Sequence, residues 1–289
     1  MDADLDTLCI AIYCTADDLL PAARANARRT VTDAEVVTLC VAQAIMGIPS
    51  DRRFLAAARR QLGHFFLQLP GQSAYFKRRR RLADTIEWLL AHFASLSPGY
   101  HDQLLLIDST PVECGRSRET AKRSALADIA GYGYCAAHSR WFWGVRLHAL
   151  CAPDGTPRAL TLAPPSRDER EVAVELIARC ALRGGELVIG DKGYAGKAFA
   201  ARVTELGVTV VRPTRKDEPG RGPHLAPIRQ RIESIFWTCK DLLTLERHGA
   251  RTIAGLRERV LVRFLCLAAC IALNHRLGRP SRALVSYCA

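Results

Sequence analysis

The periodicity of the chain changes once, at Pro98-Gly99, and that change limits the folds open to it. Before it, apolar residues recur at helical spacing. Thr32-Asp33-Ala34-Glu35 has the Thr-x-x-Glu spacing of a capping box and opens the run Val36 to Ile48, which Pro49-Ser50 ends. Asp51 to Leu69 and Leu82 to Leu96 read as two further helices, stopped by Pro70-Gly71 and Pro98-Gly99. After the change, short apolar runs of strand length take over. Leu104-Leu105-Leu106-Ile107 ends at Asp108, Trp141 to Leu150 alternates, Pro153-Asp154-Gly155-Thr156 makes a turn, and Arg158 to Leu162 returns as a hairpin partner. Asp168 to Leu182 reads as a helix, Glu186 to Asp191 as a strand, Lys197 to Leu206 as a helix and Val208 to Arg212 as a strand. Pro213 to Pro227 reads as a mobile loop, and two long helices over about 228–246 and 252–277 follow. Hairpin strands followed by strand–helix–strand units imply an α/β fold: a mixed sheet with helices on both faces, behind an all-α N-terminal region. The expected division is 1–100, helical; 101–250, the mixed sheet with its helices; and 251–289, a basic helix and tail packed on the core.

Charge points to the class of partner. The chain carries 41 Lys+Arg against 29 Asp+Glu, a net +12, which favours a polyanion. Residues 251–289 contribute +6 of this, and residues 1–103 are nearly neutral but concentrate Lys77-Arg78-Arg79-Arg80-Arg81 beside Tyr75 and Phe76. Basic residues next to aromatics suit phosphate contact with base packing, although a solvated helix face has the same composition. The eleven cysteines include no CxxC or CxxH pair, so reduced structural thiols are expected rather than zinc or disulfides. The opening MDADLDTLCI is acidic and lacks a basic n-region, and the apolar run Phe264 to Leu273 is about half a bilayer span. A cytoplasmic protein, without a membrane partner, is expected.

Two strands end in an acid followed by a turn: Ile107-Asp108-Ser109-Thr110-Pro111 and Ile189-Gly190-Asp191-Lys192-Gly193-Tyr194. If the strands are parallel neighbours, both carboxylates emerge together at the edge where α/β sheets build their sites. A third acid, Glu233, lies on a helix whose stripe Ile228, Ile232, Ile235, Cys239 and Leu242 is apolar, with Arg229 and Lys240 on the same adjoining face. Each acid alone has a plainer reading as a turn cap or an ion-pair member. Together they suit hard divalent cations such as Mg²⁺ or Mn²⁺, which bind carboxylate oxygens and keep positions open for water and phosphate. Two such ions roughly 3.5–4 Å apart activate the attacking oxygen and stabilise the leaving one at a phosphodiester. Arg229 and Lys240 then hold nucleic-acid phosphates.

Asp108, Asp191 within Gly-Asp-Lys-Gly-Tyr, and Arg229-x₃-Glu233-x₆-Lys240 resemble the DDE transposases of bacterial insertion sequences. Gly131-Tyr132-Gly133-Tyr134-Cys135 and Phe142-Trp143-Gly144-Val145-Arg146-Leu147-His148 are similar to the segment these proteins carry between their first two acids, and Ser73 to Arg79 resembles the nine-eight-two type. Ala226 stands where the family has Tyr, and Arg146 where it has Lys. The resemblance implies a ribonuclease-H-like core, two Mg²⁺ (or Mn²⁺), and cut-and-paste chemistry in which a freed 3′-hydroxyl attacks target DNA. Asp108 would bridge the two ions, with Asp191 and Glu233 each binding one. The partners implied are terminal inverted repeats read by the N-terminal helices, target DNA, and a second copy of the chain on DNA, at the bacterial nucleoid. Lys77, Arg78, Arg79, Arg80, Arg81, Lys192, Arg229 and Lys240 are the expected DNA contacts, with Arg257, Arg259 and Arg263 suited to backbone contact. His148, Trp141, Trp143 and Trp237 read most simply as core, and Asp168 as an N-cap. A structure-selective nuclease of the same core, or a DNA-binding regulator without catalysis, are the alternative readings.

Overall fold

The computed structural model describes residues 4–21, 30–135, 139–215, 218 and 224–288. The chain divides into two compact units: Met1–Leu96 with Thr238–Ala250 and Ala254–Ala289, and Ser97–Trp237 with Arg251–Ile253.

The first unit is helical. It contains α1 (Leu5–Leu19), α2 (Asp33–Ile45), α3 (Asp51–Gln61), α4 (Gln72–Arg81) and α5 (Ala83–Ser95). The capping box forms as expected: Thr32 accepts from the Glu35 amide and Glu35 accepts from the Thr32 amide. The helix expected over Asp51 to Leu69 stops at Gln61, and the basic run forms a helix of its own, α4. Its i, i+4 pairs split inward and outward. Tyr75 and Arg79 are buried, while Phe76, Lys77, Arg80 and Arg81 are exposed.

A four-residue charge cluster explains Arg79. Its Nη1 donates to Asp51 (2.9 Å) and Gln43 (3.0 Å), and its Nε lies 2.7 Å from Glu258 Oε1, an ion contact too bent for a hydrogen bond. Arg259 also reaches Asp51, at 2.8 Å. Burial pushes the Asp51 carboxyl up, but hydrogen bonds from Arg79 and the charges of both arginines outweigh it and hold the group at about 2.

The second unit carries the sheet. In chain order it contains β1 (Leu104–Gly115), α6 (Arg118–Arg123), β2 (Gly131–Cys135), β3 (Arg140–Cys151), β4 (Pro157–Ala163), α7 (Glu169–Arg179), β5 (Leu187–Ile189), α8 (Lys197–Glu205) and β6 (Thr209–Val211). The helix α9 (Ala226–Lys240) begins in this unit, and its last three residues belong to the first, as does most of α10 (Ile253–Arg276). Strand order is β2-β3-β1-β5-β6, with β4 also paired to β3. Antiparallel β1, β3 and β4 followed by parallel β5 and β6 give the ribonuclease-H-like mixed sheet that the sequence pattern and the family resemblance together imply.

Helices α7 and α8 cover one face through Ala173, Val174, Leu176, Ile177, Phe199 and Val203, packed on Leu105, Ile107, Leu150 and Val188. Burial of this face is what fixes the strand register, because a slip of one residue turns every apolar side chain to the other face. Gly144 shows how close β1 and β3 approach: a Cβ there would sit 2.1 Å from the Val112 carbonyl oxygen. The sequence pattern missed β2 and α6, and β1 runs seven residues past Asp108, where an end was expected. Part of the expected loop, 216–217 and 219–223, lies outside the described residues.

Candidate active site

Parallel pairing of β1 with β5 matches Leu104 with Leu187, Leu105 with Val188 and Leu106 with Ile189. The ladder ends there, and Asp191 follows in the turn after β5, near enough for its charge to act on Asp108 in β1. The backbone then fixes each carboxylate. Asp108 Oδ1 accepts from the Ser109 amide at 2.8 Å, and Asp191 Oδ1 accepts from the Gly193 amide at 2.7 Å, within the turn that follows β5. Neither second carboxylate oxygen has a hydrogen-bond partner among the described residues. Burial pushes the Asp108 carboxyl up to about 7; the charges of Asp191 and Glu169 push the same way, against the Ser109 amide and the Arg229 guanidinium. A buried carboxyl that is disfavoured when ionised, with a second carboxylate beside it, is a donor set suited to a hard divalent cation. The residues present fit Mg²⁺ or Mn²⁺.

Glu169 is a site neighbour that sequence reasoning missed. It opens α7, directly after Asp168, which caps the helix by accepting from the Arg170 amide as expected. Arg146 Nη1 donates to Glu169 Oε1 (2.6 Å) and to Ser109 Oγ (3.0 Å), and Ser109 donates to the same glutamate oxygen (2.9 Å). Arg146 Nη2 donates to the Tyr134 carbonyl (3.1 Å). The available signal was the strand register, since Ser109 pairs with His148 and Pro111 with Arg146. Tyr194 closes the inner side: its buried hydroxyl has no partner among the described residues, and burial together with Asp108, Glu169 and Asp191 holds its proton on.

Glu233 is exposed on α9, with Arg229 one turn earlier half-buried. Arg229 is the α9 residue whose charge acts on Asp108. Among the described residues, no group of three or more His, Cys, Asp or Glu side chains is arranged to hold a metal ion. Lys240 is mostly buried and 3.5 Å from Glu246. Lys192 is exposed.

Several expected DNA contacts are corrected by burial. Arg79 is 1% exposed and held by Asp51 and Glu258. Arg78 is held by Asp33 and the Val31 carbonyl. Arg259 is buried and pairs with Asp51, and Arg263 is buried and donates to the Leu243 carbonyl, whereas Arg257 is partly exposed and pairs with the solvent-facing Asp84 and Glu87. A buried guanidinium answers charges inside the protein and is unavailable to phosphate. Lys77, Arg80 and Arg81 remain exposed. Two tryptophans expected in the core are also outside it: Trp141 is 71% and Trp237 64% exposed, whereas Trp143 is buried. His148 is buried as expected. Burial, with Arg146 and Arg167, lowers it to about 4, so it is neutral at pH 7, and its Nδ1 lacks a partner.

A ribonuclease-H-like sheet with one acid, Asp108, within β1 and another, Asp191, in the turn after its parallel neighbour β5 defines the class of the protein. The family described as transposase DDE domain matches residues 99–269, more than half of the chain and inclusive of Asp108, Asp191 and Glu233, and the chain belongs to that family. Among solved structures it is similar to a piggyBac transposase synaptic complex with hairpin DNA, at 9% identity over 98% of this chain and 78% of that one, with a TM-score of 0.46. No curated protein sequence matches the chain. Among the described residues, no helix is long and apolar enough to cross a membrane.

Proposed function

We propose that the chain cleaves DNA at the ends of an insertion sequence and transfers the freed 3′-hydroxyl into target DNA. The observation that supports this reading is the parallel pairing of β1 with β5, the neighbouring strands from which Asp108 and Asp191 come. Asp108, Asp191 and Glu233 are the proposed ligands of two Mg²⁺, for which Mn²⁺ can substitute. Bound there, the ions supply an activated oxygen nucleophile and neutralise charge on the phosphodiester.

The chain's own residues do the rest. Arg229, beside Asp108, offers a phosphate contact across the site, and Lys192, exposed on the turn after Asp191, offers another. Arg146 and Ser109 tie the start of α7 to β1 and hold the Asp108 backbone in place. Hydrolysis breaks the bond between phosphorus and the 3′ oxygen at the element end. The resulting hydroxyl then displaces a 3′ oxygen in the target, so one phosphodiester is lost and one formed without a covalent protein intermediate.

The helical unit supplies recognition of the terminal inverted repeats through Lys77, Arg80 and Arg81, and the sheet-bearing unit supplies the chemistry. Joining two ends requires two copies on DNA, acting in the bacterial cytoplasm at the nucleoid. A transfer assay with pre-cleaved ends tests the reading: joined product in Mg²⁺, abolished by Asp191→Ala with DNA binding intact, is expected. Cutting without joining indicates the nuclease, and DNA binding that Asp191→Ala leaves unchanged, with neither cutting nor joining by either protein, indicates the regulator.

A further inference from the structure

Strands β2 and β3 turn four aromatic rings to one face, and the chemistry above uses none of them. The register pairs Tyr132 with Trp143 and Tyr134 with Trp141, so the pleat sends all four to the same side. Trp143 is buried and forms the floor. Trp141 is 71%, Tyr132 58% and Tyr134 45% exposed. Folded chains seldom leave so much contiguous aromatic surface in water without a partner for it. Trp141 is braced, with its ring centroid 5.5 Å from that of Tyr134 at a 59° tilt.

Tyr132, Trp141 and Trp143 enclose, with Arg118, Ala121 and Lys122 of α6, a cavity of about 700 Å³. That volume lies in the range of small-ligand sites, roughly 300–1,000 Å³. The cleft is open and its lining apolar, an aromatic floor flanked by the stems of Arg118 and Lys122, whose charged heads stand in solvent at its rim. Arg118 is exposed and has no ion-pair partner among the described residues. Lys122 lies 3.4 Å from Glu119, and both side chains are largely exposed, so that pairing is weak and free to exchange. Stacking surface beside mobile cations is what a single nucleic-acid strand requires, and a duplex, whose bases are already stacked on one another, cannot use the floor.

Position strengthens the case. Along β3, Trp141, Trp143, Val145, Leu147 and Ala149 alternate to one face, and Ala149 pairs with Asp108. Asp108 therefore points to the face that carries the aromatics, with about 20 Å of strand between them. The β-bulge between Glu113 and Gly115 sets Gly115 against Trp143, where a Cβ would stand 3.1 Å from the indole, so glycine leaves the floor uncovered.

We propose that this cavity binds unpaired nucleotides of the DNA strand, with bases stacked on Tyr132 and Trp141 and phosphates held by Arg118 and Lys122. The proposal rests on the DNA-transposase reading. Fluorescence anisotropy with a labelled oligothymidylate of about twelve nucleotides, and with a duplex of the same length, tests it on the full chain. Trp141→Ala and Tyr132→Ala are expected to weaken single-strand binding about tenfold or more, Trp141→Phe to retain most of it, and duplex binding to change less than about twofold. Arg118→Glu with Lys122→Glu, which leaves the aromatics intact, is expected to weaken single-strand binding and flatten its salt dependence. Single-strand binding untouched by these variants, or single-strand and duplex binding lost equally, overturns the proposal. If wild type shows Asp108-dependent cleavage while the cavity variants change nothing, the cavity proposal alone falls. If wild type binds neither form of DNA, the transposase reading falls with it.

Discussion

Replacing Asp108 with Asn should make the metal-free protein more stable at neutral pH, although it removes a residue proposed to be essential. The carboxyl ionises near its ordinary value when the chain is unfolded, and at about 7 when folded, because burial and the charges of Asp191 and Glu169 oppose ionisation. Between those values the folded state holds the extra proton, so this group makes stability fall as pH rises from about 4 to about 7. Three pKa units correspond to about 4 kcal/mol. Asp108 keeps some contact with solvent, and screening trims the expected gain to about 1–3 kcal/mol. Asparagine keeps an acceptor for the Ser109 amide and carries no charge to repel Asp191. Urea unfolding of wild type and Asp108→Asn without divalent cations, at about pH 5 and about pH 8, measures the difference. The variant should gain its advantage at the higher pH, and added Mg²⁺ should narrow the gap by stabilising wild type alone. A variant less stable than wild type at the higher pH, or an advantage indifferent to pH, refutes the strained-pair account.

Further expectations concern the frame around the site. Arg79→Met should cost about 3 kcal/mol in urea unfolding, because it leaves the buried Asp51 and Glu258 with Arg259 as their one remaining cation among the described residues. Lys77→Ala, Arg80→Ala and Arg81→Ala should each leave stability within about 0.5 kcal/mol while lowering the salt slope of DNA binding. Since Asp51 sits at about 2 when folded, its roughly 2 kcal/mol of stabilisation is present above its ordinary value and lost as pH falls toward 2, which an acid titration of unfolding checks. Gly144→Ala should give an insoluble or molten chain by near-UV circular dichroism, because its Cβ has nowhere to go against the Val112 carbonyl.

The sheet was legible in the sequence where one face is apolar over several residues. The runs at Leu104, Trp141, Arg158, Glu186 and Val208 all became strands, and the parallel pairing that would bring Asp108 and Asp191 together was stated as a condition that the register meets. β2 was not legible, because Gly131 to Cys135 alternates glycine with tyrosines that face solvent, a pattern without an apolar face. The basic run misled for a related reason. Composition cannot tell Arg79, which the Tyr75 face of α4 turns inward, from Arg80, which lies over the exposed Phe76 ring. Glu169 escaped notice because its role depends on Arg146 and Ser109, residues 23 and 60 positions away that only the folded sheet brings to it.

The central claim is that Asp108 and Asp191 together hold a divalent cation at which DNA is cut. Anomalous diffraction from crystals of the chain soaked in Mn²⁺ tests it most directly. A manganese peak about 2.0–2.3 Å from an oxygen of each aspartate, lost in Asp191→Ala, is the expected result. Full occupancy of Mn²⁺ elsewhere, with none between Asp108 and Asp191 in wild-type crystals, would contradict it.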